Sequence, residues 1–277
     1  MRIAKQVAVV RSARTAPTAL AAAVLHELRA AGHAVSDLAV APGEPVDLDG
    51  HEVVLLLSPE HPSMHAHHGA WREWDRWHAT TVPWLTSVAR AAHVRRLVLQ
   101  SSALLYADAA AVPVDERAAV AVTPATEPWC AAETAVNRFA DSGARGAVVL
   151  RIAPLADDQA VAPWLNAAAS RPGSCPQVRW QPTAEVAEAA DAFVRALDAA
   201  PGIYNVGGSA SGPLATAASR SAASRLFSLP PVGQLLPWRA RVDDRLEPYC
   251  RSIRLDPHRF SSVTGWAPRR VSSSFRG

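Results

Sequence analysis

Short apolar runs alternate along this chain with longer segments of helical character, and this alternation limits the folds it can adopt. The apolar runs span residues 7–10, 34–40, 52–57, 96–100, 147–152 and 202–206. Helices are predicted at residues 17–31, 70–92, 131–141 and 185–199, the second with a break at Pro83. Apolar strands joined by helices form a parallel sheet with helices on both faces. The sequence therefore predicts an α/β fold, a Rossmann-like doubly wound parallel sheet whose ligands bind beyond the carboxyl ends of the strands.

The first helix has recognisable signals at both ends. Thr15 is a candidate N-cap, Pro17 suits a first helical position, and Gly32 can end the helix in a left-handed conformation. No glycine precedes Gly32, so the turn between the first strand and this helix lacks glycine altogether.

The 277 residues suit a single unit spanning 1–277, with a small lobe attached to the sheet. Residues 1–155 and 182–208 are predicted to form the Rossmann-like core. Residues 156–181 and 209–277, rich in Pro, Ser and Trp, are predicted to form a lobe that covers the carboxyl edge of the sheet and contacts the substrate. The stretch 209–224 fits either a linker or a helix.

Composition excludes several classes of protein. Hydrophobic residues make up 49% and charged residues 19%, which argues against disorder. The net charge is +3 and the arginines are scattered among acids, which argues against a nucleic-acid partner. The longest aliphatic run, 53–57, is too short for a membrane span, and the first residues lack a signal-peptide layout, so a cytoplasmic protein is expected. Three separated cysteines, Cys130, Cys175 and Cys250, indicate neither disulfides nor a zinc site.

Several segments together resemble the extended short-chain dehydrogenase/reductase family, which includes nucleotide-sugar epimerases. Residues 94–106 resemble its strand followed by a Ser-Ser-x-x-x-Tyr turn, and residues 113–116 resemble the stretch after it. Leu150-Arg151, residues 202–208 and residues 264–268 resemble later family motifs in the same order. The resemblance covers almost the whole chain. It implies a nicotinamide cofactor and hydride transfer.

The chain departs from the family at the functional positions. The Tyr-x-x-x-Lys pair falls on Trp129 and Glu133, and the family's helical Asn falls on His78. Lys5 is the only lysine, and the tyrosines are Tyr106, Tyr204 and Tyr249. An indole is a poor general acid, and a carboxylate cannot lower the pKa of a phenol as a lysine does.

Among relatives, these departures most resemble the ketoreductases of angucyclinone antibiotic pathways, of the simocyclinone kind. The resemblance implies reduction by NADPH of a ketone on a flat polycyclic aromatic polyketide. The proton would come from Ser102, a histidine, water or a phenol of the substrate itself. Two alternatives stay open: a cofactor-independent cyclase or isomerase, and a non-catalytic sensor of a nucleotide or metabolite. The oligomeric expectation is a monomer or a homodimer.

In the first turn, where the resembled family has glycines, this chain has charged and hydroxyl side chains, and these are the expected cofactor contacts. Arginine near the first turn suits the 2′-phosphate of NADPH. No acid is expected near Ala39 at the end of the second strand, where an acid would favour the ribose of NAD. The opposite interpretation is that cofactor binding has been lost. The expected cofactor-binding residues are Arg11, Ser12, Arg14, Thr15, Ser58 and Arg151.

The expected catalytic residues are Ser102, at the family's Ser/Thr position, and its neighbour Ser101, which can hold developing negative charge on a carbonyl oxygen. In the alternative interpretation they only satisfy backbone groups at a strand end. The expected substrate contacts are Trp129, Tyr106, His65, Trp74 and His78.

Two clusters allow more than one interpretation. His61, His65, His67 and His68 fit an exposed loop or a substrate contact better than a metal site, because no carboxylate or cysteine pattern completes a site. Trp71, Trp74, Trp77 and Trp84 recur near one helical face and fit either core packing or the wall of an aromatic ligand site.

Overall fold

The computed structural model describes residues 4–64, 66–141, 145–170, 180–211 and 244–268. A six-stranded parallel sheet organises them. Its strands are β1 (Gln6–Ser12), β2 (Ala34–Val40), β3 (Val53–Leu56), β4 (Arg96–Ser102), β6 (Gly146–Ile152) and β8 (Gly202–Val206). They lie in the order β2-β1-β3-β4-β6-β8. The predicted Rossmann-like sheet is confirmed.

Helices cover both faces of this sheet, as the alternation of elements predicts. The helices are α1 (Ala19–Ala30), α2 (His68–Arg76), α3 (Val82–Ala91), α4 (Glu127–Ala140), α5 (Ala162–Ser170), α6 (Val186–Ala196) and α7 (His258–Thr264). Helices α1 and α6 bury one face of the sheet, and α3 and α4 bury the other. Short 3₁₀ turns span Ala103–Leu105 and Glu247–Cys250.

Two small sheets lie at the carboxyl edge. Strand β5 (Pro113–Val114) pairs in parallel with β10 (Arg254–Leu255), and β7 (Trp180–Thr183) pairs antiparallel with β9 (Gly208–Ser211). Each pair joins an earlier part of the chain to a later one. The division into a core and a substrate lobe stays a prediction.

The ends of several elements differ from the sequence prediction. Thr18, and not Thr15, caps α1: its backbone is extended and its Oγ1 accepts from the N–H of Ala21 at 3.0 Å. Strand β4 runs through Ser102, so both predicted catalytic serines lie in the strand itself. The predicted irregular stretch 156–181 contains α5, and residues 212–224 lie outside the described residues.

The predicted break in the second helix is a change of helix type. A π-helical segment, Trp77–Thr81, connects α2 to α3, and Pro83 follows it in the first turn of α3. Proline has no N–H to donate, so the turn before it has to rearrange its hydrogen bonds. Such π segments often occur at functional sites.

No described helix has the length and apolarity that a membrane crossing requires.

Candidate active site

A cleft opens at the carboxyl ends of the central strands, where the sequence predicts a ligand site. It is partly open to solvent and has a cavity volume of about 70 Å³. Ser58 after β3, Ser101 and Ser102 on β4, and Ile152 on β6 contribute to its lining. The first turn of α1 borders it through Thr18 and Leu20. The cleft therefore lies at the position where doubly wound sheets bind their ligands.

The N-terminus of α1 gives this cleft a positive end. The first four N–H groups of a helix have no partner within the helix, and the helix dipole adds partial positive charge there. The Thr18 cap satisfies one of these groups, and Pro17 precedes it without an N–H of its own. The turn before α1 is held by Ser12, whose Oγ accepts from the N–H of Arg14 at 3.2 Å.

Two of the predicted cofactor contacts in this turn are already engaged. Arg11 donates two hydrogen bonds to the carboxylate of Asp37, at 2.8 and 3.1 Å. The expectation that no acid lies near the end of the second strand is therefore wrong, because Asp37 on β2 neutralises Arg11. Ser12 is buried and bonds to the turn itself. Neither side chain lines the cleft, so the expectations for Arg11 and Ser12 are corrected.

Arg14 and Thr15 line a second, wider cleft that continues the first. It is open to solvent, has a cavity volume of about 590 Å³, and shares Pro59, His61 and Trp74 with the first cleft. The side chain of Arg14 is about half exposed (52%), and its Nη1 lies 3.6 Å from Glu73. An exposed pair at this distance is weak, so Arg14 can turn toward an anionic ligand.

A buried ion pair lies behind the serine strand. Arg151 on β6 donates to both oxygens of Glu133 on α4, at 2.9 and 2.7 Å, and Ser101 donates to the same carboxylate at 2.5 Å. Both charged side chains are less than a tenth exposed. Although burial opposes the charge, the hydrogen bonds and negative charge of Glu133 raise the pKa of Arg151 above its ordinary value.

This pair corrects the expectation for Arg151. Its guanidinium does not line the cleft and is committed to Glu133, so it does not contact a cofactor in this conformation. Glu133, which falls where the resembled family has a lysine, is thus an internal partner of an arginine. Ser101 does line the cleft, but its hydroxyl hydrogen is directed to Glu133.

Ser102 ends β4 and lines the cleft. Its Oγ accepts from the N–H of Leu104 at 3.2 Å and so caps the short 3₁₀ turn that follows. The hydroxyl can still donate, because a serine oxygen accepts and donates at once. Ser102 therefore fits both its structural interpretation and its predicted role as a donor to a carbonyl oxygen.

His78 lies behind the cleft wall, fully buried, and this corrects its assignment as a direct substrate contact. Its Nδ1 lies 2.8 Å from the carbonyl oxygen of Trp74, and its Nε2 lies 2.9 Å from Oγ of Ser58. Burial lowers the pKa of His78 to about 4, against the opposing effect of the Trp74 carbonyl. The imidazole is therefore neutral near pH 7.

Aromatic rings form one wall of the cleft. Trp74 and Trp129 line it with their ring centroids 5.8 Å apart, edge to face. Trp129 therefore lines the cleft, and its contact with a substrate stays a prediction. Trp77 lies in the core and Trp84 packs against the same core, while Trp71 contacts His61 and Trp164. The four tryptophans thus divide between core and wall.

Tyr249 reaches the same cleft from a distant part of the chain and was not among the predicted site residues. Its hydroxyl lies 3.0 Å from Nε2 of His61, and the Nδ1 of His61 lies 3.0 Å from the carbonyl oxygen of Pro62. Both side chains line the cleft, and Tyr249 stacks on Trp164. Burial lowers the pKa of His61 to about 4, and burial raises the pKa of Tyr249. The two residues are 188 positions apart, and no sequence motif links them.

Of the two remaining expected substrate contacts, the described one does not contribute to the cleft. Tyr106 is fully buried, its hydroxyl donates to Oδ1 of Asn205 at 2.7 Å, and it does not line the cleft, so its assignment to substrate binding is wrong. His65 lies outside the described residues. Among the residues that the structure covers, no three metal-ligating side chains lie together.

Neither a scan against protein-family models nor a search of curated proteins found a match to this sequence. Solved structures do match. The UDP-glucose 4-epimerase of Thermus thermophilus, in complex with NAD, superposes with a TM-score of 0.63 at 15% identity, over 95% of this chain and 94% of that one. A short-chain dehydrogenase/reductase superfamily protein of Agrobacterium tumefaciens with bound NAD gives 0.63 at 18% identity, over 95% and 92%. The RMD protein of Pseudomonas aeruginosa, complexed with NADPH, gives 0.61 at 15%, over 95% and 93%.

These matches extend over nearly the full length of both chains, and the strand order and the position of the cleft agree with a doubly wound sheet. At these identities the likeness concerns the fold. The chain therefore has the Rossmann-like fold of the nucleotide-sugar epimerases and short-chain dehydrogenases/reductases.

Proposed function

We propose that the protein is an NADPH-dependent ketoreductase that reduces a ketone on a flat polycyclic aromatic polyketide, without a Tyr-Lys pair. One observation carries this proposal. The cleft joins the positive end of α1 to a wall of aromatic rings, formed by His61, Trp74, Trp129 and Tyr249. Such a wall suits a flat aromatic ligand, since stacked and edge-to-face ring contacts stabilise it beyond simple burial.

The residues present fit a coenzyme that is held differently from the family's usual mode. The first turn of α1 offers N–H groups to a pyrophosphate, and Arg14 offers an exposed positive charge for a 2′-phosphate. Ser58 and Thr15 line the two connected clefts and can bond to the ribose units. The nicotinamide coenzyme supplies a hydride there. The absence of glycine in the turn keeps the phosphates farther from the backbone, so Arg14 carries a larger share of the binding.

The proton has to come from another group than the family's tyrosine. Trp129 has no acidic proton, and Tyr249 donates its hydrogen to His61. His61 and His78 both have a pKa of about 4 because of burial, so neither carries a spare proton near pH 7. A phenol beside the ketone has a pKa near that of tyrosine, about 10. We therefore propose that the substrate's own phenol protonates the alkoxide.

The test combines binding with turnover. The nine tryptophans report coenzyme binding by fluorescence, and NADPH consumption is followed with a polycyclic ketone that carries a neighbouring phenol. We expect NADPH to bind and to be consumed, and Arg14→Gln to weaken NADPH binding about tenfold while changing NADH binding little, as the loss of one partly exposed phosphate contact implies. Arg138→Gln, an exposed change on α4, is the matched control.

The result also separates the alternatives. Folded protein that binds neither coenzyme would contradict the proposal and favour a cofactor-independent cyclase or isomerase, for which the neutralised Arg11 and the turn without glycine are the supporting observations. Binding without turnover on a panel of phenolic ketones would favour a sensor.

A further inference from the structure

We propose that Ser58 and His78 form a proton relay of the cleft, in which the serine hydroxyl exchanges a proton with an oxygen of the ligand and the imidazole stores it. Trp129 stands at the family's tyrosine position, so a proton path through the protein has to use other residues. The hydride step of this proposal rests on the proposed function, whereas the relay can be detected without turnover.

The two residues meet the geometric conditions for a coupled pair. Ser58 lines the cleft but is only 5% exposed, and His78 is fully buried behind it. Their side chains are 2.9 Å apart, within hydrogen-bond distance. A hydroxyl that faces a ligand site and contacts a buried imidazole is the arrangement from which enzymes activate hydroxyl groups.

The hydrogen bonds of His78 fix its tautomer. The carbonyl oxygen of Trp74 can only accept, so the Nδ1 of His78, 2.8 Å away, has to carry the hydrogen. The Nε2 is then an acceptor, and the hydroxyl of Ser58 donates to it. With its hydrogen directed inward, Ser58 presents its lone pairs to the cleft.

Three surrounding groups hold this pair in place. The π-helical segment Trp77–Thr81 carries His78, and the ring of Trp129 meets the imidazole edge to face at 5.8 Å. The backbone N–H of Ser58 donates to Oε1 of Gln100 at 2.9 Å. His78 is thus a base oriented by a third group, and Ser58 is a hydroxyl held in place through its backbone. This arrangement is typical of an activated hydroxyl and not of a serine that only satisfies backbone groups at a strand end.

The relay can be written with all atoms in balance. During reduction the carbonyl carbon receives a hydride from a reduced nicotinamide coenzyme, and the π-electron pair of the C=O bond moves onto oxygen. That oxygen takes the hydroxyl hydrogen of Ser58 as a proton, and Ser58 takes a proton from Nε2 of the His78 imidazolium. The imidazole is recharged from solvent. Alcohol oxidation runs the same steps in reverse, with neutral His78 as the final acceptor.

The charges around His78 determine how the relay responds to pH. His61, in the loop after β3, acts directly on the pKa of His78 and lowers it. The helices α2 and α4 pack against the π-helical segment and carry Glu73, Asp75 and Glu133. Each of these carboxylates has an arginine partner. Glu73 pairs with Arg14 and Arg76, Asp75 pairs with Arg245, and Glu133 pairs with Arg151. His61 is neutral near pH 7. Burial therefore dominates the pKa of His78, which is about 4, and the imidazolium form becomes more abundant as the pH falls toward that value.

The first experiment measures the tautomer of His78 directly, without coenzyme. Ring nitrogen shifts are recorded by NMR for the protein and for Ser58→Ala, which removes the hydroxyl with little change in volume. We expect the Nδ1–H form between pH 6 and 8 and a displacement of the Nε2 resonance in Ser58→Ala. The same spectrum in Ser87→Ala, an exposed change on α3, should be unaltered. An Nε2–H tautomer would overturn the relay whether or not the protein turns over.

The second experiment uses a phenolic ketone and its O-methyl ether with NADPH. The ether has no proton of its own, so its reduction has to use the relay. We expect its rate to rise about tenfold for each unit of pH from 8 to 5, and to fall by about 10²-fold in Ser58→Ala. Ser58→Thr, which restores a hydroxyl, should recover part of the rate and the slope. The phenolic ketone, which carries its own proton, should lose a smaller factor in rate than the ether when Ser58 is replaced by alanine.

These outcomes keep the two proposals apart. Equal reduction of the ether by the wild type and Ser58→Ala, with the same pH slope, would overturn the relay and leave the ketoreductase proposal standing. Absence of reduction for both ketones would contradict the ketoreductase proposal, and the tautomer of His78 would then decide the relay by itself.

Discussion

Glu133→Ala is expected to lower the free energy of unfolding by about 3–5 kcal/mol, the largest stability effect that we predict for a single substitution. Removing the carboxylate leaves the guanidinium of Arg151 buried without its charged partner, and a buried unpaired charge is costly. It also removes the acceptor of the Ser101 hydroxyl. Chemical denaturation at pH 7 measures the change.

Two further variants separate the ion pair from general helix effects. Glu127→Ala, an exposed acid in the first turn of α4, should cost less than about 1 kcal/mol. The double variant Glu133→Ala/Arg151→Met should be more stable than Glu133→Ala, because it no longer contains the unpaired charge. Comparable losses for Glu127→Ala and Glu133→Ala would show that the buried pair is not what stabilises this region.

Methylating the phenol of a substrate is expected to slow its reduction at pH 8 by about 10²-fold or more, the range that a positioned proton donor contributes. At pH 8 His61 and His78, each with a pKa of about 4, are almost entirely neutral. The ether then has neither a proton of its own nor a ready one from the protein. Initial rates at saturating NADPH and ketone measure the effect.

A regioisomer is the matched control for this measurement. A ketone whose phenol lies too far from the carbonyl to reach it should behave like the ether, although its polarity and size match the phenolic substrate. The difference in rate between the phenol and the ether should shrink toward pH 5, because His78 becomes protonated and can supply a proton through Ser58. Equal rates for phenol and ether at pH 8 would contradict a substrate-derived proton.

The sheet could be predicted from the sequence because it depends on local patterns. The strands β1, β3 and β6 each contain at least four consecutive apolar residues, which is typical of strands buried on both faces. The ends of elements were harder to predict, since they depend on single hydrogen bonds. Thr15 and Thr18 are both reasonable caps by residue type, and only the backbone geometry at Thr18 decides between them.

The candidate site was predicted in part, for a similar reason. Residues at the carboxyl ends of strands, such as Ser58 after β3 and Ser102 at the end of β4, were placed correctly at the carboxyl edge because parallel strands end together. Partners that are distant in sequence were not foreseen. Asp37 neutralises Arg11, Glu133 holds Arg151, and Tyr249 meets His61 across 188 positions of the chain. These contacts depend on tertiary packing, which no local pattern encodes.

A crystal structure of the protein with NADPH tests the central claim most directly. We expect the pyrophosphate at the first turn of α1, the 2′-phosphate near Arg14, and the nicotinamide in the cleft beside Ser102 and Trp129. If side chains keep the cleft closed to NADPH at a saturating concentration, the proposed binding site is wrong and the proposed hydride transfer is excluded with it.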